Sequence, residues 1–285
     1  APGTVYAQVK SAFGCTKVVQ ITLSIIPFPN INTANYNPVF CDDNLDGIIL
    51  VDFSTVTPQI VTNSGIYNVR YYLVQADAIA GNANNLPNNW SYSTNTTVYV
   101  RVDTTGNCPA AFGQINFSFG AKIPLLTQDY STLVCDNDSN GTESVDLNSY
   151  KNNFTTDPAV TLTFHNTLAD AQNGVNAIAA TQNIAPTGTF YIRFQSPNAC
   201  PNTAKITISL DVINTTNASL TSCSDANGNG TFNLTLTNVT STTGTTISYF
   251  SDAALTIPIT NPSAYTAAPG TVYAQVKSAF GCTKV

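Results

Sequence analysis

The chain has 285 residues and a formal net charge of −6. Only 9 % of its side chains are charged and it contains no Met. Thr, Asn, Val, Tyr and Ile are abundant, which is the composition of strands and turns rather than of helices. No Lys/Arg cluster is present, so nucleic acid and anionic membranes are poor partners. No apolar run approaches the roughly 18 residues of a membrane span, while hydrophobics at 43 % are enough for packed cores.

Residues 1–29 read as the C-terminal hairpin of a preceding repeat. TVYAQVK alternates as a strand, SAFGC turns, and VVQITLSII is a closing strand before Pro27, Pro29 and NINTANYNP break the pattern. The first complete unit spans 30–122. GIILVDFS and Tyr67–Val74 read as strands, and QADAIAG as a short helical turn, expected to be the one helix-like punctuation of each unit. Asn82–Asn95 reads as a polar loop holding the sole Trp, Trp90. TTVYVRVD, a turn at Cys108 and the alternating AAFGQINFSF follow. The second unit, 123–212, repeats this order with GTESVDL, AVTLTFHN, LADAQNG, GTFYIRFQ and TAKITISLDV. The third, 213–285, offers GTFNLTLT, TTISYF, SDAAL and GTVYAQVK, and reaches Val285 before its closing strand.

Two periods underlie this order. Ala268–Val285 repeats Ala1–Val18 letter for letter, at an offset of 267 (268 − 1). Within it, a Cys followed by an Asp/Asn loop recurs at Cys41, Cys135 and Cys223, in steps of 94 (135 − 41) and 88 (223 − 135). The chain therefore reads as a window on a tandem array whose super-repeat holds three diverged, domain-sized units. The fold expected is all-β, a linear array of immunoglobulin-like sandwiches.

Seven cysteines alternate in register with the repeat, one kind after the Tyr-rich strand and one opening the Asp/Asn loop. Such alternation points to disulfides in an oxidising compartment, and no CxxC is present to make a zinc ribbon. Two pairings fit. In one, each loop Cys meets the next strand-end Cys: Cys41–Cys108, Cys135–Cys200 and Cys223–Cys282, with the partner of Cys15 outside the window. In the other, Cys15–Cys41, Cys108–Cys135 and Cys200–Cys223 bridge unit boundaries and Cys282 is left over. The first is preferred, because in an immunoglobulin-like sandwich the start of the first strand and the turn between the last two strands share one end.

The loops carry a calcium-type spacing. Asp42, Asn44 and Asp46 precede Gly47; Asp136, Asp138 and Asn140 precede Gly141; Asp225, Asn227 and Asn229 precede Gly230. Alternate residues of a tight loop converge, and Ca²⁺ takes six to eight oxygens. Asp52, Asp146 and Asn233 recur downstream as a further oxygen. No Glu stands at position twelve and a strand follows, so an EF-hand is excluded. A β-sandwich calcium loop at the joint between domains stands against an ion-free Asx/Gly turn, with the third loop the weakest of the three.

No enzyme is expected. The one histidine, His165, lacks a Ser or Cys partner in register and reads as a strand-end surface residue, and every Asp cluster is a repeated turn. Trp90 with Tyr71, Tyr72 and Tyr92 reads as packing, with a sugar-stacking platform as the alternative. Asn-x-Ser/Thr triplets such as those at Asn95, Asn214, Asn217, Asn229, Asn233 and Asn238 follow from composition.

The phrases CDDNLDG with VDF, YYLVQADAIAG and TVYVRVDTTGNC resemble the repeats of large secreted Bacteroidetes proteins. Those are cell-surface adhesins and gliding-associated proteins exported by the type IX secretion system. Cys41, Asp42, Asp46, Gly47 and Asp52 match that family's phrase, as do Cys135, Asp136, Gly141 and Asp146; Ser224 and an inserted residue depart from it. The resemblance implies export to the cell surface. The function expected is a structural stalk of an extracellular filament or adhesin, whose partners are neighbouring repeats and other copies in a fibre. The alternative is a Ca²⁺-dependent polysaccharide-binding module.

Overall fold

The computed structural model describes residues 3–106 and 108–285. Ala1 and Pro2 of the N-terminal hairpin and Asn107 of the turn before Cys108 lie outside the described residues. The chain forms two compact units, 1–122 and 123–285.

The first unit opens with an antiparallel ribbon of β1 (Gly3–Lys10) and β2 (Thr16–Leu23). Then come β3 (Val39–Phe40), β4 (Ile49–Asp52), α1 (Phe53–Ile60), β5 (Asn68–Tyr72), α2 (Gln75–Ala80), β6 (Asn89–Tyr92), β7 (Thr96–Asp103) and β8 (Ala111–Phe119). One sheet has the order β3-β8-β7-β5 and the other pairs β4 with β6. Period-two alternation puts Val98, Val100 and Val102 of β7 on one face, all fully buried. They pack with Ile115 and Phe117 of β8 against Ile49 and Val51 of β4. Two sheets enclosing one core make a sandwich.

The second unit holds two such domains. The first runs β9 (Asp129–Cys135), β10 (Glu143–Asp146), α3 (Lys151–Phe154), β11 (Thr161–His165), α4 (Leu168–Asn173), β12 (Thr181–Ile184), β13 (Thr187–Ser196) and β14 (Ala199–Asp211). Its sheets are β11-β13-β14-β9, with β9 parallel to β14, and β10-β12. The next runs β15 (Gly230–Phe232), β16 (Thr246–Phe250), β17 (Tyr265–Ala267), β18 (Tyr273–Lys277) and β19 (Thr283–Lys284), in sheets β15-β17 and β16-β18-β19. The fold is all-β, built of tandem immunoglobulin-like sandwiches.

The structure corrects several sequence expectations. GIILVDFS is not one strand. It stops at Asp52, whose Oδ1 accepts from the Ser54 N–H at 2.8 Å and caps α1. Asp146 accepts from the Asn148 N–H at 2.9 Å and opens a 3₁₀ turn leading into α3, and Asn233 accepts from the Thr235 N–H at 3.1 Å at the same point of the third domain. An Asx residue at this position satisfies a donor that the first helical turn leaves free. The QADAIAG-type turn is therefore not the only helical punctuation. SDAAL of the third domain forms no helix; Asp252 instead ties a turn by accepting from the N–H groups of Thr256 and Ile257.

Trp90 lies on β6 rather than in a loop. Its ring stacks 5.9 Å from Phe53 and 5.5 Å from Tyr92 and meets Phe117 edge-on at 5.7 Å, partly buried against the core. His165 is fully buried, not a surface residue. Its Nδ1 lies 2.7 Å from the Val175 carbonyl, which only accepts, so Nδ1 donates; Nε2 faces the Thr163 hydroxyl at 2.9 Å.

Candidate functional site

The cysteines locate the site, because of where the strands carry them. β9 lies parallel to β14 with Cys135 opposite Asp211, so Cys135 and the exit of β14 share one end of the second domain. The chain leaves that end through Ile213 into the third domain. There the turn between β18 and β19, residues 278–282, returns to the same place. Cys282 is bonded to Cys135, with Cα atoms 5.4 Å apart and a sequence separation of 147.

Two further hydrogen bonds cross this joint and two more fix its turn. The Ser278 hydroxyl donates to Asp211 Oδ2. The same hydroxyl oxygen accepts from the N–H groups of Gly281 at 3.2 Å and Cys282 at 3.1 Å, which fixes the turn. Lys284 Nζ donates to the Ile213 carbonyl at 3.2 Å. Ile213, Val276 and Cys282 are buried together, with Cys135, Val239 and Ile247 packed against them.

This overturns the expected pairings. Cys135 does not meet Cys200, and Cys282 does not meet Cys223. Cys15, Cys108 and Cys223 are exposed free thiols, so Cys41–Cys108 is not formed, while Cys41 and Cys200 are each disulfide-bonded. None of the boundary-bridging alternatives forms for Cys15, Cys108 or Cys223 either. The reason is strand length. Cys200 stands at the start of β14 and Cys135 beside its end. The 11 residues from Cys200 to Asp211 span roughly 36 Å at ~3.3 Å each, far beyond the Cα separation of a disulfide. The loop Cys and the strand-end Cys of this domain occupy opposite ends of it.

The Asp/Asn loops have a different geometry from a cation cage. Asp42 is buried, and its Oδ1 and Oδ2 accept from the N–H groups of Asp46 at 3.1 Å and Gly47 at 2.8 Å. Asp46 accepts from the Ile48 N–H and, at 2.8 Å, from the Asn44 side-chain amide. In the second loop Asp136 accepts from the Gly141 N–H at 3.1 Å and Asp138 from the Asn140 side-chain amide at 2.6 Å. In the third, Asp225 Oδ1 accepts from the N–H groups of Asn227 and Asn229, each at 2.8 Å. Asn44 and Asn140 thus turn their NH₂ groups toward the neighbouring carboxylate, where a cation needs an oxygen. Asp52 and Asp146 serve as helix caps. Among the described residues no three His, Cys, Asp or Glu side chains are grouped to hold a metal. In this arrangement the loops stand as Asx turns closed by their own N–H donors.

The joint residues Asp211, Ser278 and Lys284 were not singled out in the sequence. The available signal was the Ser four residues before the Cys in SAFGC, present in both copies as Ser11 and Ser278.

A family model described as the Flavobacterium inter-domain disulphide bond domain matches residues 37–121, 131–216 and 219–285. No curated protein matches the sequence. Among solved structures, the I-band fragment I67–I69 from titin is 8 % identical, covers 74 % of this chain and 75 % of its own, and superposes with a TM-score of 0.27. Immunoglobulin domains 1–4 of Sidekick-1 are 8 % identical, cover 87 % of this chain and 69 % of their own, with a TM-score of 0.21. Among the described residues no helix is long and apolar enough to cross a membrane.

Proposed function

Since the chain belongs to the Flavobacterium inter-domain disulphide bond domain family, we propose that it is a structural stalk segment of a secreted, surface-anchored filament or adhesin, of the kind exported by the type IX system. The observation that carries this reading is the Cys135–Cys282 bond across the joint of two sandwiches. A covalent link placed there adds nothing to a binding pocket. It fixes one module to the next and takes the intervening backbone out of the line of pull. The polysaccharide-binding alternative has less support, because the Trp90 ring stacks on Phe53 and Tyr92 and packs against the core.

Single-molecule extension tests the reading. In the oxidised chain the 147-residue span is bypassed by the bond. Breaking this bond should release about 500 Å of added contour length, at roughly 3.3–3.6 Å per residue. Equal extension in the two redox states would refute the stalk reading.

A further inference from the structure

The first sandwich domain carries a groove whose lining the second domain does not share. The groove has a volume of about 600 Å³ and lies over β7 and β8. Gln75 and Ile79 of α2 form one wall, and Thr33 and Asn37, from the segment before β3, form the other. Strand alternation places its floor. Val98, Val100 and Val102 face the core, so Tyr99 stands on the outer face, opposite Gln114. Phe112 and Asn116 lie two positions to either side of Gln114 on the same face.

The lining is rich in amides, and among the described residues no charged side chain contributes to it. The side chains of Asn37, Gln75 and Gln114 have no hydrogen-bond partner among the described residues, and neither does the Tyr99 hydroxyl. Asn116 Oδ1 accepts from the Thr97 hydroxyl at 2.8 Å, which leaves its NH₂ group unpartnered. A free side-chain amide offers an acceptor and two donors. Tyr99 and the exposed Phe112 add aromatic rings. The Arg101 guanidinium lies 5.5 Å from the Phe112 ring centroid and is itself paired with Asp103 at 2.8 Å. Such a lining fits a ligand with hydroxyl groups around its edge and C–H groups on its face, which describes a pyranose ring. It does not fit a peptide strand. Thr33 closes the β8 edge at one end, where its hydroxyl oxygen would lie 2.7 Å from a Cβ on Gly113, and Val39 pairs with Ser118 at the other.

The second domain keeps the scaffold and changes the chemistry. Tyr191 stands opposite Lys205 where Tyr99 stands opposite Gln114; Thr203 takes the place of Phe112, and Thr207 that of Asn116. Leu168 replaces Gln75 at the start of the helix. Lys205 Nζ is paired with Asp129 at 2.8 Å. An ion pair and a leucine thus stand where the first domain presents amides.

We propose that the first domain binds a neutral oligosaccharide in this groove, with a pyranose ring against Tyr99 and its hydroxyls bonded to Gln75, Gln114 and Asn116. With no cation in the lining and a net charge of −6 on the chain, acidic glycans are disfavoured. The groove shares no residue with the Trp90 cluster or with the Asp/Asn loops, so it is a different site from a Trp90 platform and calls for no Ca²⁺. It goes beyond the stalk reading and does not rest on it.

The test is to titrate the ¹⁵N-labelled full chain with cellohexaose, maltohexaose, laminarihexaose and mannohexaose, and with hexagalacturonate as the acidic probe. The expected result is a saturable shift of the Gln75, Gln114 and Asn116 side-chain amide signals with at least one neutral probe. Gln114→Lys and Phe112→Thr each install the residue that the second domain carries at the same register, so the fold has room for them. Each should weaken binding about tenfold, the worth of one hydrogen bond or ring contact. Amide signals that no neutral probe moves overturn the proposal. So do shifts with hexagalacturonate alone, shifts confined to Trp90 or the Asp/Asn loops, or unchanged affinity in both variants.

Discussion

At the scale of single residues, short polar side chains decide where strands stop. Asp52, Asp146 and Asn233 each follow a short strand and each turns the chain by accepting an N–H two residues on. The residues after them, such as Phe53-Ser54-Thr55-Val56, favour strand by propensity, so composition alone carries the strand too far. Only the cap chemistry marks the stop. These caps also set the acid response. The Asp52 carboxyl is held below its ordinary value first by hydrogen bonding from Ser54, Asp170 by the Thr167 hydroxyl and then the Asn176 amide, and Asp252 first by Thr256. A carboxyl lowered in the folded state favours folding above its unfolded value of 3.8, and that contribution is lost as pH falls through the lowered value. Thermal melts should therefore show Tm dropping below pH ~4, less steeply in Asp170→Asn; an identical slope in that variant would contradict the assignment. Burial pushes the Tyr71 hydroxyl up to about 12, so its share of stability is lost between pH 10.0 and about 12.

At the scale of elements, the two domains with a QADAIAG-type helix share a device that the third lacks. Arg101 Nη1 donates to the carbonyls of Ala78 and Ile79 at the end of α2, and Arg193 Nη1 to those of Ala171 and Gln172 at the end of α4. A cation there satisfies carbonyls the helix leaves open and faces the negative end of its dipole. Gly81 and Gly174 close these helices at φ +66 and +67, and a Cβ on Gly81 would come within 2.9 Å of Arg101. In the third domain the strand reads YAQV rather than YVRV or YIRF, Gln275 replaces the arginine, and SDAAL is a turn. Arg193→Gln should fray α4 at a cost of about 1.5–3 kcal/mol. Loss of hydrogen-exchange protection at the Ala171 and Val175 amides would be the readout, and full retention would refute the role. The helical turns were legible from the repeated A-D-A phrase. Their dependence on an arginine two strands further along the chain, on the strand paired with the one before the helix, was not, because nothing local in the sequence ties the two together.

At the scale of the whole molecule, the repeat was readable and the cross-links were not. Periodicity gives the number of modules without asking where anything lies in space. Pairing cysteines needs the length of β14, which sets Cys135 and Cys200 at opposite ends of their domain. The joint is part of the third domain's own core, where Ile213, Val276 and Cys282 are buried together. Closing a 147-residue loop is worth about 5 kcal/mol in the chain-entropy view, and native disulfides typically return about 2–5. Cys282→Ala should thus split one thermal transition into two, with the third domain melting first and the second nearly unchanged. A single unshifted transition would show that the bond does not stabilise that domain.

The same bond has a consequence for a protein exposed to hostile surroundings. Loops such as Asn137–Gly141 and Thr242–Thr245 are the sort of exposed tips that proteases nick. A cut at either one falls between Cys135 and Cys282, so both pieces remain attached through sulfur. The strand of modules can be damaged there without coming apart.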